Sequence, residues 1–254
     1  MRLASFNVNS IRRRAPHLQR FLARHAPDIV FLQELKCRTE EFPAVELAAS
    51  GYTIHAFGQP GGRNGVAVLA RIPFEIVQEN LPGEDEDDHA RYVEIRAESA
   101  HFAGIYLPNG NSGGAAGMEY KWRWQQRLNA RAAEHLDNFT PFAILGDFNV
   151  VPTDADMAPG VLAPTDALVH PNSRAHFRAL GHIGMTDAAA ALGLHSYTYW
   201  DYGAAFETNR GLRIDHAMLS PELAERLEGF HVDTEARAEE QPSDHAPVWV
   251  ELRG

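Results

Sequence analysis

Cysteine is almost absent: Cys37 stands alone in 254 residues. It excludes an internal disulfide and any cysteine-rich zinc site, and it reads as a small, half-buried hydrophobe. Long apolar runs are missing too. Nothing approaches the ~20 residues of a membrane span, and the opening MRLASFNVNS lacks the apolar region of a signal peptide. A cytoplasmic protein is the expectation. There is no linker, low-complexity block or internal repeat, so one domain over residues 1–254 fits best. Positive charge is in deficit. A net charge of −11 argues against a nonspecific polycation-type nucleic-acid binder. It leaves room for a local basic groove or for an acidic pocket that holds a metal. What remains is ordinary globular composition, 44% hydrophobic, enough for a large core.

The most informative stretch is Pro141–Asn149, PFAILGDFN. Phe142 to Leu145 form a short apolar run after a proline, which reads as a buried strand. If the backbone stays extended past Gly146, Asp147 and Asn149 project to the same side. A carboxylate can take a proton or bind a hard cation, and an amide can donate to an anionic oxygen. An Asx turn closing the strand would place the same residue types there.

In chain order, Leu3–Val8 alternates as a strand ending near Asn7. Ile11–Arg14 reads as a basic turn, with a helix starting at Pro16 and carrying Leu18, Phe21 and Leu22 on one stripe. Asp28–Gln33 is a second buried strand with Glu34 directly after it. Tyr52–Phe57, Gly65–Ala70, Arg91–Ala97, His101–Leu107, Arg213–Ser220 and Ala246–Leu252 read as further strands. Glu84–Asp88 is an unbroken acidic run, expected to be a solvated, mobile loop. Met118–Asn138 is the clearest helix. Arg123, Arg127 and Arg131 repeat along one face of it, and Arg131 reads as a surface group. Many strands with few helices suggest packed sheets rather than a purely parallel α/β fold.

Asn7, Glu34, Asp147, Asn149, Asp215 and the Asp244-His245 pair each fall at or beside a predicted strand end. One such residue would be a cap. So many suggest a shared mouth, where crowded carboxylates need a cation to neutralise them. Oxygen donors without cysteine favour Mg²⁺ or Mn²⁺ over zinc. His245, following Asp244, can hold a fixed tautomer and handle protons if a carboxylate pairs with it, and Asp215 is the candidate.

The set FNVN (6–9), LQELK (32–36), GVAVL (65–69), YLPNG (106–110), GDFN (146–149), GLRIDH (211–216) and SDHAPV (243–248) resembles the exonuclease III family of AP endonucleases, in the family's order and over nearly the whole chain. The wider superfamily of phosphatases and lipid phosphodiesterases shares the Asn, Glu, GDFN-like and SDH elements. The YLPNG and GLRID segments point to the DNA-repair branch. The resemblance implies a four-layered α/β/β/α sandwich of two packed mixed sheets flanked by helices. It implies a Mg²⁺-dependent phosphodiesterase, with Mn²⁺ able to substitute, acting as a monomer on duplex DNA with abasic sites or 3′ blocks. It places Glu34 as principal metal ligand with Asn7 and Asp244, and Asp147, Asn149 and His245 beside the ion. Asp147 would orient or deprotonate water, Asn149 and His245 would contact the scissile phosphate, and Asp215 would orient His245. Tyr106 would lie near the phosphate or the leaving oxygen. A catalytically dead regulator would be expected to have lost some of these residues, and all are present.

Relatives carry Asp or Asn where Asn9 stands, and some carry Trp where Leu212 stands. Tyr199, Trp200 and Leu212 would form the wall around an extruded abasic sugar, although Tyr199 and Trp200 could equally be core aromatics. The expected DNA-facing set is Asn109, Lys121, Tyr199, Trp200, Arg210, Leu212 and Arg213. Arg12 to Arg14, Arg63 and Arg123 are further candidates for the basic surface.

Overall fold

The computed structural model describes residues 1–254 and contains twelve strands. They are β1 (Arg2–Asn7), β2 (Ile29–Gln33), β3 (Thr53–Phe57), β4 (Val66–Ala70), β5 (Glu75–Gln78), β6 (Tyr92–Ala97), β7 (Ala100–Tyr106), β8 (Phe142–Asp147), β9 (Thr186–Asp187), β10 (Asp215–Leu219), β11 (Leu227–Val232) and β12 (Val248–Leu252). One sheet runs β11-β12-β1-β2-β4-β3 and the other β5-β6-β7-β8-β10-β9. Only β1–β2 and β7–β8 are parallel pairs, so both sheets are mixed. The main helices are α1 (Ile11–His25), α2 (Ala44–Ala48), α3 (Ala115–Asp137) and α4 (Pro171–His182).

Side-chain alternation builds the layers. Leu3 on β1, Ile29 and Phe31 on β2, Phe102 on β7, Ala143 and Leu145 on β8, and Ala217 and Leu219 on β10 meet between the sheets. The alternate residues Phe6, Val30 and Leu32 pack outward with Leu18, Phe21 and Leu22 of α1. On the other side Ile105, Phe142, Ile144 and Met218 pack with Trp124 and Leu128 of α3 and Phe177 of α4. The result is the expected α/β/β/α sandwich. Gly104 makes room for the Phe31 ring of the facing sheet, because a Cβ there would lie 2.2 Å from it.

Three local readings are corrected. Helix α1 begins at Ile11, not at Pro16, which sits inside it. Its first turn is held by Ile11 N–H donating to Leu35 and Arg14 N–H to Ser10, so the proline costs one helical hydrogen bond. The acidic run is not wholly solvated, since Asp87 accepts from Arg127 Nη1 at 2.7 Å and from the Tyr120 hydroxyl at 2.9 Å. Arg131 is not a free surface group. It grips the fully buried Glu94 with two hydrogen bonds, at 2.9 and 2.8 Å. Tyr92, His101 and His135 also donate to that carboxylate, leaving it saturated.

Candidate active site

The strand alternation that fills the core also delivers the polar groups. Asn7, Tyr106, Asp147 and Asp215 follow the inward parity of their strands and stand at one end of the sandwich, where apolar residues give out. Asp147 lies in register with Tyr106 on one side and Asp215 on the other. Glu34, directly after β2, and Asn149 take left-handed backbone angles, φ 53° and 47°. Such residues cost about 1 kcal/mol or more and cluster at functional sites. Gly146 is needed because a Cβ there would strike the Ile105 carbonyl oxygen at 2.0 Å.

Asn7 joins the two sheets: its amide donates to Glu34 Oε1 at 2.9 Å and to Asp147 Oδ2 at 3.0 Å. The Asn149 N–H donates to Asp147 Oδ1 at 2.8 Å, and the Asn149 amide to Asp147 Oδ2 at 3.2 Å. Asn109 donates to Asn149 Oδ1 at 2.9 Å, which fixes that amide's orientation. His245 Nδ1 lies 2.8 Å from Asp215 Oδ2 and Nε2 lies 3.7 Å from Asp147 Oδ2. A carboxylate only accepts, so Nδ1 carries the proton. Thr198 braces Asp215 from behind through a 2.7 Å hydroxyl bond.

The electrostatics follow from burial. Asp147 is pushed upward by burial and by the Asp215 and Glu34 carboxylates, against His245 and the Asn149 N–H. Burial lowers His245, but Asp215, Asp147 and Asp244 outweigh it and favour the imidazolium. Burial would raise Glu34, yet Lys36 Nζ at 2.8 Å, with Asn7 and His245, holds it below the ordinary range. The Tyr106 hydroxyl is held well above its usual value by burial and by Glu34 and Asp147, so it stays protonated.

Ligand atoms of Glu34, Asp147 and His245 all lie within 4.8 Å of one another. The Asp244 carboxylate lines the same pocket. This oxygen-rich set, carrying more negative charge than His245 and Lys36 neutralise, fits a hard divalent cation.

The pocket, about 280 Å³, is lined by Glu34, Tyr106, Asp147, Asn149, Asp244 and His245. Leu162, Leu168, Tyr199, Leu212 and Ile214 supply the apolar part of its lining, with the Tyr199 ring against that of His245. Two clefts flank it. One, about 730 Å³, is lined by Arg12, Arg13, Arg14 and Lys36, and the other, about 460 Å³, by Lys36, Arg63, Arg91 and Asn109.

Of the residues read from sequence as facing DNA, Asn109, Tyr199 and Leu212 lie in these cavities, and Arg210 is exposed beside the wall, donating to the Gly160 carbonyl. Three are corrected. Trp200 is buried behind the wall, edge-on to Phe206, and donates to Asn209. Arg213 is buried on the far side of its segment, between Asp156 and Asp187. Lys121 is fully buried beneath the site, donating to the Asn149 and Asn109 carbonyls at 2.6 and 2.9 Å. Burial pushes its ammonium down to about 7, against Asp147 and Asp166.

The sequence reading assigned no role to Lys36, which lies inside the LQELK motif, or to Thr198, a neutral hydroxyl with no sequence signal. Asn9, given no role there, donates to Asp244 at 2.9 Å and accepts from Lys36 at 2.5 Å.

Comparison with known proteins agrees with this geometry. Residues 4–245 match the endonuclease/exonuclease/phosphatase family. Over the full length of both chains the protein is 31% identical to exodeoxyribonuclease III of Haemophilus influenzae. A 3′ phosphatase from Neisseria bound to a product DNA hairpin superposes with a TM-score of 0.94 at 34% identity, covering 100% of both chains. An AP endonuclease from Archaeoglobus fulgidus superposes at 0.92 with 29% identity over 99% of both. By its sequence, its fold and the residues gathered at one end of its sandwich, the chain belongs to the endonuclease/exonuclease/phosphatase family.

Proposed function

We infer that the protein is a metal-dependent DNA-repair phosphodiesterase that incises duplex DNA on the 5′ side of abasic sites and removes nucleotides and phosphates from 3′ ends. The observation that carries this reading is a single pocket holding Asp147, His245 backed by Asp215, and Glu34 together with an apolar lining. Its relatives are nucleases and 3′ phosphatases. The apolar residues of the pocket's lining can receive a sugar while the polar ones meet its phosphate. An abasic nucleotide also costs least to turn out of the stack.

Asp147, raised by its surroundings, is the group to orient and deprotonate the attacking water. The His245 imidazolium faces the phosphate and donates to the oxygens that gain charge, joined by the Asn149 amide when it exchanges its 3.2 Å bond to Asp147 for the phosphate. Asp215 keeps His245 protonated and aimed. Tyr106 Oη, still carrying its proton, would donate to the phosphate or to the leaving oxygen. Glu34, Asp244 and Asn7 would hold Mg²⁺ or Mn²⁺, which when bound polarises the phosphate and stabilises the departing alkoxide. The flanking clefts supply the basic surface that an acidic protein needs to grip a polyanion.

The test is incubation with a duplex carrying one abasic site, with Mg²⁺ or with EDTA. Incision 5′ to the lesion that EDTA abolishes is expected. Equal cutting in EDTA, or no cutting of abasic and 3′-phosphate substrates at any metal concentration, overturns the reading.

A further inference from the structure

Lys121 lies in the first turns of α3, which run beneath the two loops that carry Asn109 and Asn149. Its side chain is wholly shielded from solvent, so it cannot reach a DNA phosphate. Its ammonium donates to the backbone carbonyl of each asparagine. These are the same two residues whose side chains bond each other, and Asn149 in turn holds Asp147 through both its N–H and its amide. The backbone turns through the left-handed region at both loops: Asn149 has φ 47° and Gly110, next to Asn109, has φ 92°. A Cβ on Gly110 would lie 2.7 Å from Lys121 Cδ, so the glycine makes room for the lysine stem. Trp124, one turn further along α3, is buried in the layer between helix and sheet and fixes the helix that presents the lysine.

We propose that Lys121 is a positioning residue for the phosphodiester cleavage inferred above: its two carbonyl bonds clamp the YLPNG and GDFN loops together and set the aim of the Asn149 amide and the Asp147 carboxylate. It acts through these residues on the rate of the chemical step, and not on the grip on DNA. A buried methionine of similar length fills the tunnel but donates nothing, leaving two carbonyls unpaired. Asn149 then has one anchor fewer in its strained conformation, and misplacement of a reacting group by a fraction of an ångström is enough to slow catalysis.

The experiment compares wild type, Lys121→Met, Asn149→Ala and the double variant, with Lys121→Gln run alongside so that a donor is retained should the methionine variant melt too early. Single-turnover cleavage of whichever substrate the wild type cuts should slow by about tenfold or more in Lys121→Met, with duplex affinity and its salt slope unchanged. In the Asn149→Ala background the lysine substitution should have a clearly smaller further effect, because the side-chain part of its route is gone and only the backbone N–H to Asp147 remains. Without substrate, the Asn149 side-chain amide resonances of ¹⁵N-labelled protein, identified by their loss in Asn149→Ala, should shift in Lys121→Met and in Lys121→Gln. Unmoved amide resonances overturn the proposal even if no substrate is cleaved, whereas failure of wild-type cleavage alone overturns the functional reading. Additive rate losses in the double variant would reduce Lys121 to a structural part. A salt slope flattened by about one unit would instead make it a phosphate contact.

Discussion

Replacing Asp215 with asparagine removes one charge from the base of the site while keeping the side chain's shape. Asp215 accepts from His245 Nδ1 at 2.8 Å and from the Thr198 hydroxyl at 2.7 Å, all within a buried setting. A hydrogen bond between charged partners contributes about 1.5–3 kcal/mol. Losing ~2 kcal/mol of it from the transition state slows the reaction roughly thirtyfold. The pH dependence is more telling than the rate. Burial lowers the His245 pKa, and the carboxylates, Asp215 foremost, raise it to about 10. Without the Asp215 charge it should fall back towards the ~6.5 of a free histidine. If the imidazolium is the form that meets the phosphate, the alkaline limb of the single-turnover rate moves to lower pH. Stability changes with the same sign. A histidine raised in the folded state stabilises fully below its unfolded pKa of ~6.5, and that contribution fades as pH rises through the folded value. The melting difference between wild type and Asp215→Asn should therefore be full at pH 6 and shrink towards pH 10. An alkaline limb that stays in place, with a melting difference that is flat in pH, would refute the pairing as the source of His245's charge.

Other perturbations read separate parts of the molecule. Glu34→Gln should cut activity by orders of magnitude and be partly rescued by raised Mg²⁺ or Mn²⁺; wild-type turnover in limiting metal would remove Glu34 from the ligand set. Arg12→Ala with Arg13→Ala, both exposed at the larger basic cleft, should weaken abasic and intact duplex alike and flatten the slope of log Kd against log salt by roughly two units. Anisotropy titrations at several salt concentrations test this, and an unchanged slope places the DNA elsewhere. Glu94→Gln should destabilise by about 3 kcal/mol, because Arg131 loses its buried counter-charge and keeps only the exposed Glu134. Burial opposes the Glu94 charge, but His135, Arg131, Tyr92 and His101 hold its pKa far below the usual range. That stabilisation is present above the unfolded value of ~4.3 and is lost as pH falls towards the folded one. Denaturant melts of wild type and variant should accordingly converge in acid, and a gap that persists would contradict the pairing.

What the sequence revealed, and what it hid, divides along a physical line. Asp147, Glu34 and Asp215 were legible because a polar residue that ends an apolar run is a local pattern, visible in six to nine residues. The partners of Arg127 and Arg131 were not, nor was the burial of Lys121, because a cation on a helix looks the same whether it faces water or partners brought in by the fold. Arg131 meets Glu94 across 37 positions and Arg127 meets Asp87 across 40, and nothing local marks either pairing. Trp200 and Arg213 failed for a related reason. Leu212 and Ile214 face the pocket while Arg213 between them points away, and that alternation depends on which side of the segment the cavity lies. Tyr199 shows the opposite case: backbone bridges to Leu212 and His245 seat it against the histidine ring, so wall and chemistry share one support.

The two sheets differ in how the chain supplies them. Strands β5 to β10, one uninterrupted stretch, make the whole of one sheet, while the other is begun by β1 to β4 and finished by β11 and β12. Asp244 and His245 lie just ahead of β12, so they are synthesised after every other residue assigned to the pocket. A growing chain can therefore complete the sheet that carries Tyr106, Asp147 and Asp215 before the histidine that completes the cluster has been translated. The pocket is thus closed from the first sheet, by the seating of β12 between β11 and β1, and not from the sheet that carries Asp147 and Asp215.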